Sequence, residues 1–292
     1  MTNIVYYQNN YNDGKGAAFA AWLKLDYDNT IYKPIGYYDD FPEIEEFKGK
    51  NVFVFDFSFR DRDIETLIEN AKSVVFIANY RSLKNNLENV DREKCKLILD
   101  TEKSGCVLVW EYFFGVEKEL PKILQYIQDY DLWRHKFEES KYAIQSMYNE
   151  RFTMERWDEL KNNQQELDKF VEKGKILYEH ELNMSKGFLK KSWKIQVIDG
   201  KPEHNLTVVN APLRLASKIG EMHKNNGELY PVLIYQEFQF KCSISMRNGR
   251  EKFDLGKIAT TLAEFNECRG GGHAGAAGIS PRSHFNKLIW RK

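Results

Sequence analysis

The chain has no net charge: 43 lysines and arginines balance 43 aspartates and glutamates. Long-range attraction for nucleic acid or an anionic membrane is therefore not built into the whole molecule, which leaves room only for a local basic pocket. Cysteine is scarce. Cys95, Cys106, Cys242 and Cys268 form no Cys-x-x-Cys pair, which argues against a zinc knuckle. A disulfide framework is not expected in a chain of 292 residues. No apolar run reaches membrane-spanning length. The opening Met1-Thr2-Asn3-Ile4-Val5-Tyr6-Tyr7 lacks a basic region followed by a long apolar one, so no signal peptide is read there and a cytoplasmic location is expected. Internal repeats and low-complexity segments are missing as well. What is present is ordinary for a globular protein, 42% hydrophobic and 29% charged residues. That suffices for a substantial core in one large domain or two ordinary ones.

The most distinctive stretch is Arg269-Gly270-Gly271-Gly272-His273-Ala274-Gly275-Ala276-Ala277-Gly278. Three consecutive glycines favour neither helix nor strand, because glycine loses the most backbone freedom on ordering. They suit a backbone that must approach a ligand, where successive N–H groups can form an anion-binding concavity. Arg269 before the run and His273 after it fit a phosphate or carboxylate receptor. A tight turn that only lets two elements pack is the competing reading.

Elsewhere the pattern alternates. Ile4–Tyr7, Asn51–Ser58, Ser73–Ile77 and Lys96–Leu99 read as apolar strands, with helices over Gly16–Trp22 and Asp61–Ala71 between them. Strand and helix in alternation predict a parallel α/β sheet. Asp13 lies in the polar loop after the first strand and Asp56 near the end of the second, where ligands meet such sheets. Val107–Phe114 and Leu120–Gln128 read as helices, with Asp129 and Asp131 following. Carboxylates at i and i+2 do not share a helix face, so at most one points into a given site. Asn163–Lys190 reads as one long helix and the domain connector. The remainder reads as a smaller set of strands and helices, ending in a helix over Leu255–Phe265 that delivers the glycine run.

In this order these landmarks resemble the DHH/DHHA1 phosphoesterase superfamily, in the branch of short-oligonucleotide phosphodiesterases, over essentially the whole chain. Gly270-Gly271-Gly272-His273 with Ala276-Ala277-Gly278 matches the signature of its C-terminal domain. Asp13-Gly14-Lys15-Gly16, Phe55-Asp56-Phe57-Ser58, Lys103-Ser104-Gly105 with Trp110-Glu111-Tyr112, and Asp129-Tyr130-Asp131-Leu132-Trp133 match further motifs. The resemblance implies two lobes: a parallel α/β lobe over residues 1–188, connector helix included, and a smaller α/β substrate lobe over 189–292. It implies two divalent metals, usually manganese, in the first lobe, which activate water against a phosphate ester. The second lobe would bind the substrate phosphate.

Two departures qualify that implication. The third motif of the superfamily, Asp-His-His, reads Ala78-Asn79-Tyr80 here, and Gln8 or Asn9 stands where a histidine precedes the first motif. No histidine occurs before His135, so the imidazole ligands are absent. Asp13, Asp56 and Asp129 are carried over as the catalytic and metal-binding candidates, with Asp131 as a fourth carboxylate. Arg247, Arg269, Gly270, Gly271, Gly272, His273 and Ser104 are the candidates for substrate binding. The reading that follows is a binder of a nucleotide or short oligonucleotide, with metal-dependent hydrolysis impaired or lost and at most one weakly held Mg²⁺ or Mn²⁺. An active phosphoesterase with a carboxylate-only metal site is the alternative, and an interaction protein on the same fold the second alternative. Long nucleic acid and membrane are not expected as partners; a second copy of the chain or a protein partner is compatible with the sequence.

Overall fold

A computed structural model describes residues 2–36, 39–79, 93–197, 204–227, 231–238, 241–247, 254–265, 269–273 and 276–280. The chain divides into two compact units, Met1–Tyr178 and Glu179–Lys292. The first is built on a parallel sheet. Its strands are β1 (Asn3–Gln8), β2 (Thr30–Ile35), β3 (Asn51–Phe55), β4 (Ser73–Ala78) and β5 (Cys95–Leu99), in the order β2-β1-β3-β4-β5. Alternate residues of each strand serve opposite layers. Val5, Tyr7, Phe53, Phe55, Val75 and Ile77 pack with α1 (Asn12–Trp22), α4 (Gly105–Phe114) and α5 (Lys122–Asp131). Ile4, Tyr6, Val52, Val54, Val74 and Phe76 pack with Ile64, Leu67 and Ile68 of α3 (Asp61–Asn70) and Phe47 of α2 (Ile44–Phe47). Burial on both faces is why these strands read as continuous apolar runs.

Where structure and expectation differ, local physics gives the reason. The strand expected over Asn51–Ser58 stops at Phe55, because Asp56 takes φ 50°, a left-handed conformation that ends the ladder. β2 was not expected: it holds Pro34 and lies on the sheet edge, a place where a strand tolerates proline. Asp13 is helical rather than in a loop, since α1 begins at Asn12. Two helices, α6 (Glu138–Asn149) and α7 (Met154–Asn162), follow α5, and α8 (Gln164–Leu189) is the long helix expected over 163–190. The division between the two units falls inside α8.

The second unit holds β6 (Trp193–Val197), β7 (His204–Asn210), α9 (Ala216–Asn225), β8 (Val232–Phe238), β9 (Lys241–Arg247), α10 (Leu255–Phe265), β10 (Arg269–His273) and β11 (Ala276–Ser280). Its sheet runs β10-β11-β9-β8-β7-β6, with β7 and β8 parallel and the other neighbours antiparallel. Val232 and Ile234 pack on α9, whereas Leu233, Met246, Ala277 and Ile279 pack on Leu255 and Ala259 of α10. The glycine run is therefore a strand, although three consecutive glycines favour neither helix nor strand, and the competing reading of a tight turn does not hold for Arg269–His273. Pairing with β11 supplies the backbone partners, and tertiary context overrides the weak preference of glycine for strands. Ala274 and Gly275, between the two strands, lie outside the described residues. Among the described residues no helix is long and apolar enough to cross a membrane.

Candidate functional site

In the first unit the sequence candidates gather at the carboxyl ends of the strands, the edge where parallel α/β sheets meet ligands. Gln8 ends β1, Asp56 follows β3 and Asn79 follows β4. Asp13 comes to this edge because α1 is rich in glycine and alanine, which let it lie against α4. Both its oxygens are engaged: Oδ2 accepts from the Gly105 N–H at 2.6 Å and Oδ1 from the Cys106 N–H at 2.8 Å. Asp13 thus caps α4 from outside that helix, where exposed N–H groups and the helix dipole favour a carboxylate. A side chain at Gly105 would be crowded there, since a Cβ on it would stand 3.0 Å from Asp13 Oδ2 and 3.3 Å from Asp56 Cβ.

Asp131, at the C-terminal end of α5, accepts from Asn79 Nδ2 at 3.1 Å. Asp13, Asp56 and Asp131 feel one another. Burial, then Asp13, then Asp131 hold the Asp56 carboxyl well above the usual range. Burial and Asp13 push Asp131 up to about 7, against the hydrogen bond from Asn79. Burial raises Asp13, while the N–H groups of α4 oppose the rise. Three carboxyls so placed cannot all ionise without mutual cost.

Asp129 is not one of this group. Its carboxylate accepts from the Lys136 and Phe137 N–H groups at 2.8 and 3.2 Å and from Ser140 Oγ at 2.7 Å. Burial alone would raise it, but these donors bring it below its ordinary value. It anchors the entry to α6. The i, i+2 spacing allowed one carboxylate into the site, and the structure selects Asp131. Ser104, expected to touch substrate, is fully buried, with its hydroxyl 3.2 Å from Cys106 Sγ and its N–H donated to Gln128 Oε1. Three further residues were not among the site candidates read from the sequence. Gln8 Nε2 and both polar atoms of the Asn12 side chain are buried without a partner. Tyr148 is more than half exposed.

These residues do not fit two metals. Asn79 turns an N–H, not an acceptor, toward Asp131, and the oxygens of Asp13 are already bonded to α4. Among the described residues no three His, Cys, Asp or Glu side chains are grouped as a metal would need.

The raised carboxyls make stability depend on pH. Asp131 binds its proton more tightly in the folded chain, so its contribution is complete below its ordinary 3.8 and lost as pH rises through about 7. Asp131→Asn should accordingly leave the denaturation midpoint near pH 4 almost unchanged. At pH 8 it should raise stability by about 1 kcal/mol, a figure discounted for the solvent that reaches this side chain. Denaturant titrations at the two pH values check this, and equal effects at both would contradict it.

In the second unit Arg247 ends β9. Its Nη1 donates to Ser245 Oγ at 2.5 Å and to the Met246 carbonyl at 2.9 Å. Its stem lies against Gly220 of α9, where an added Cβ would stand 2.4 Å from Arg247 Cβ. Arg247 is opposite Ala276 on β11, which is opposite His273 on β10. Gly271, Gly278 and Ser245 form another such row. The side chains of Arg269 and His273 lie outside the described residues. Gly220→Ala should cost about 1–3 kcal/mol, the usual range for overpacking, because the obstructing atoms are the root of Arg247 and not its flexible end. A chemical-denaturation curve indistinguishable from wild type would contradict that.

The solved structures with similar architecture include a DHH domain from a member of a family of ribosomal proteins. It matches with a TM-score of 0.63 at 15% identity, over 99% of this chain and 84% of that one. The chain has the fold of the DHH-domain proteins. Exonuclease RecJ bound to manganese matches with a TM-score of 0.56 at 13% identity, over 99% of this chain and 87% of that one. A pGpG-specific phosphodiesterase from Vibrio cholerae matches with a TM-score of 0.50 at 12% identity, over 97% of this chain and 94% of that one. An uncharacterised protein of Acanthamoeba polyphaga mimivirus is 27% identical over 299 residues, covering 96% of this chain and 68% of that protein. No family model matches the chain. The DHH-type architecture agrees with the resemblance drawn from the motifs.

Proposed function

We propose that the chain binds the phosphate of a nucleotide or short oligonucleotide on the β9–β11 part of its second unit, in the cytoplasm, without metal-dependent hydrolysis. The observation that carries the first half is the row Arg247, Ala276, His273, near Gly271, Gly278 and Ser245. Directly opposed residues of an antiparallel ladder share a face. An arginine and a histidine would thus flank a floor of small residues, on which a phosphate can approach the backbone. Arginine offers a planar fork of donors suited to phosphate oxygens, and histidine donates in either protonation state. Arg269, at the other end of β10, would add a second fork.

The absence of hydrolysis rests on the first unit. A hydrolytic pair of metals needs acceptors at the strand ends, and amides from Gln8 and Asn79 stand there. Of the carboxyls that remain, Asp13 is bonded to the N–H groups of α4 and Asp131 to Asn79. This chemistry agrees with a fold shared with an exonuclease and a phosphodiesterase whose binding half is kept. Isothermal titration with mononucleotides, dinucleotides and cyclic nucleotides tests the reading. Saturable binding of at least one phosphate ligand is expected; none across the panel would overturn it.

A further inference from the structure

We propose that Trp133 is a stacking platform for one base of a short single-stranded oligonucleotide, with Arg134 and Lys136 on the flanking phosphates. The segment Leu132–Phe137 joins α5 to α6 in the first unit. It shares no residue with the phosphate receptor of the second unit.

Trp133 is 62% exposed. Tryptophan is buried over most of its surface in an ordinary fold, and a large apolar ring left in water contributes nothing to folding. The backbone keeps it there at a cost. Trp133 and His135 take φ 53° and 52°, a left-handed conformation that bulky side chains rarely adopt. Asp129 enforces it. Its carbonyl accepts from the Arg134 N–H at 2.9 Å, and its carboxylate from the Lys136 and Phe137 N–H groups at 2.8 and 3.2 Å. The Trp133 N–H donates to the Tyr130 carbonyl at 3.2 Å. Strain sustained by surrounding bonds at an exposed residue points to a role outside folding. The His135 ring stands at 89° to the Trp133 ring, with centroids 5.7 Å apart. Such an edge-to-face contact engages at most one face of the indole, which leaves the other open to a flat ligand.

Charge selects the ligand. Arg134, His135 and Lys136 are all exposed. Among the described residues Arg134 donates to a carbonyl, that of Glu102, and not to a carboxylate. The carboxylates of Asp129, Asp131 and Glu138 have donors of their own: the backbone of this segment, Asn79, and Lys141 with Tyr142. Lys122 adds a further cation, its Nζ 4.1 Å from the centre of the Phe137 ring. An open aromatic face among available cations is the pattern of single-strand recognition, in which a base stacks and the phosphates follow the charge. A purely apolar partner would gain nothing from these cations. In a chain without net charge, so local a patch suits a short strand and not a long polymer.

The test is fluorescence anisotropy of the full chain with a labelled single-stranded hexathymidylate and a labelled six-unit abasic phosphodiester of the same charge, in buffer containing a chelator. The abasic strand should bind about tenfold more weakly. Trp133→Ala should weaken hexathymidylate by about the same factor, the size of one lost stack, and Trp133→Phe should keep most of the affinity. Arg134→Ala combined with Lys136→Ala should lower the slope of log affinity against log salt by about 1.4, two phosphates at about 0.7 each. Trp133→Gly separates the platform from a structural role. Glycine accepts a left-handed φ, so this variant should melt at or above the wild-type midpoint and yet bind as weakly as Trp133→Ala. No binding of hexathymidylate, equal binding of the two strands, full affinity in Trp133→Ala, or a Trp133→Gly variant that melts early would each overturn the proposal. Arg269→Ala in the same titration separates the two readings. Hexathymidylate weakened by Trp133→Ala and not by Arg269→Ala keeps the platform and removes the phosphate receptor, and the converse removes the platform alone.

Discussion

Asp13→Asn should cost about 2–4 kcal/mol of folding stability, among the largest effects of any single isosteric change in the first unit. Asp13 is the acceptor for two N–H groups at the buried start of α4. An asparagine keeps one acceptor and turns an NH₂ group toward the second N–H, which leaves a buried donor without a partner. A hydrogen bond to a charged group contributes roughly 1.5–3 kcal/mol, and an orphaned buried donor costs about 1–3 kcal/mol. The helix also loses a negative charge at its N-terminus. One effect opposes these: removal of the Asp13 charge relieves Asp56 and Asp131, whose carboxyls it raises. That relief is greatest at high pH, so the loss should be smaller at pH 8 than at pH 5. Denaturant unfolding at both values measures it. A loss below about 0.5 kcal/mol at pH 5 would show that α4 does not depend on this cap.

Arg269→Ala should weaken nucleotide binding by about 1.5–3 kcal/mol, or roughly 10- to 150-fold, the range for hydrogen bonds to a charged group. The effect on folding should be far smaller, because the β10–β11 ladder is held by backbone pairing from Arg269 opposite Ser280 to His273 opposite Ala276. Arg269→Lys should recover only part of the affinity, since an ammonium keeps the charge and loses the planar fork. Titration calorimetry and thermal melts of the same preparations separate the two effects. An alanine variant that melts early yet binds normally would make Arg269 a structural residue.

The parallel sheet was legible because burial on both faces leaves runs such as Val52-Phe53-Val54-Phe55 without polar interruption. β2 was not, because Pro34 argues against a strand unless the edge position is known. The glycine run carried its identity in its composition, but its conformation depends on β11, which follows it in sequence. The site was legible as a set of motifs and not as an assignment of roles. Asp129 and Asp131 are chemically alike and two residues apart; what separates them is three donors from the segment Lys136–Ser140 that close on Asp129 alone. Likewise the partners of Asp13 stay hidden until α4, far along the chain, is seen to begin on it. Long-range contacts of this kind leave no periodic trace in a sequence.

The central claim, phosphate recognition without a catalytic metal pair, is tested most directly by one titration performed twice. A dinucleotide is titrated into the protein by calorimetry, first in chelator and then in millimolar Mn²⁺, and the cell contents are analysed afterwards for mononucleotide. The account predicts the same affinity in both conditions and an intact dinucleotide in each. Binding that appears only with Mn²⁺, with the dinucleotide cleaved to mononucleotides, would contradict it.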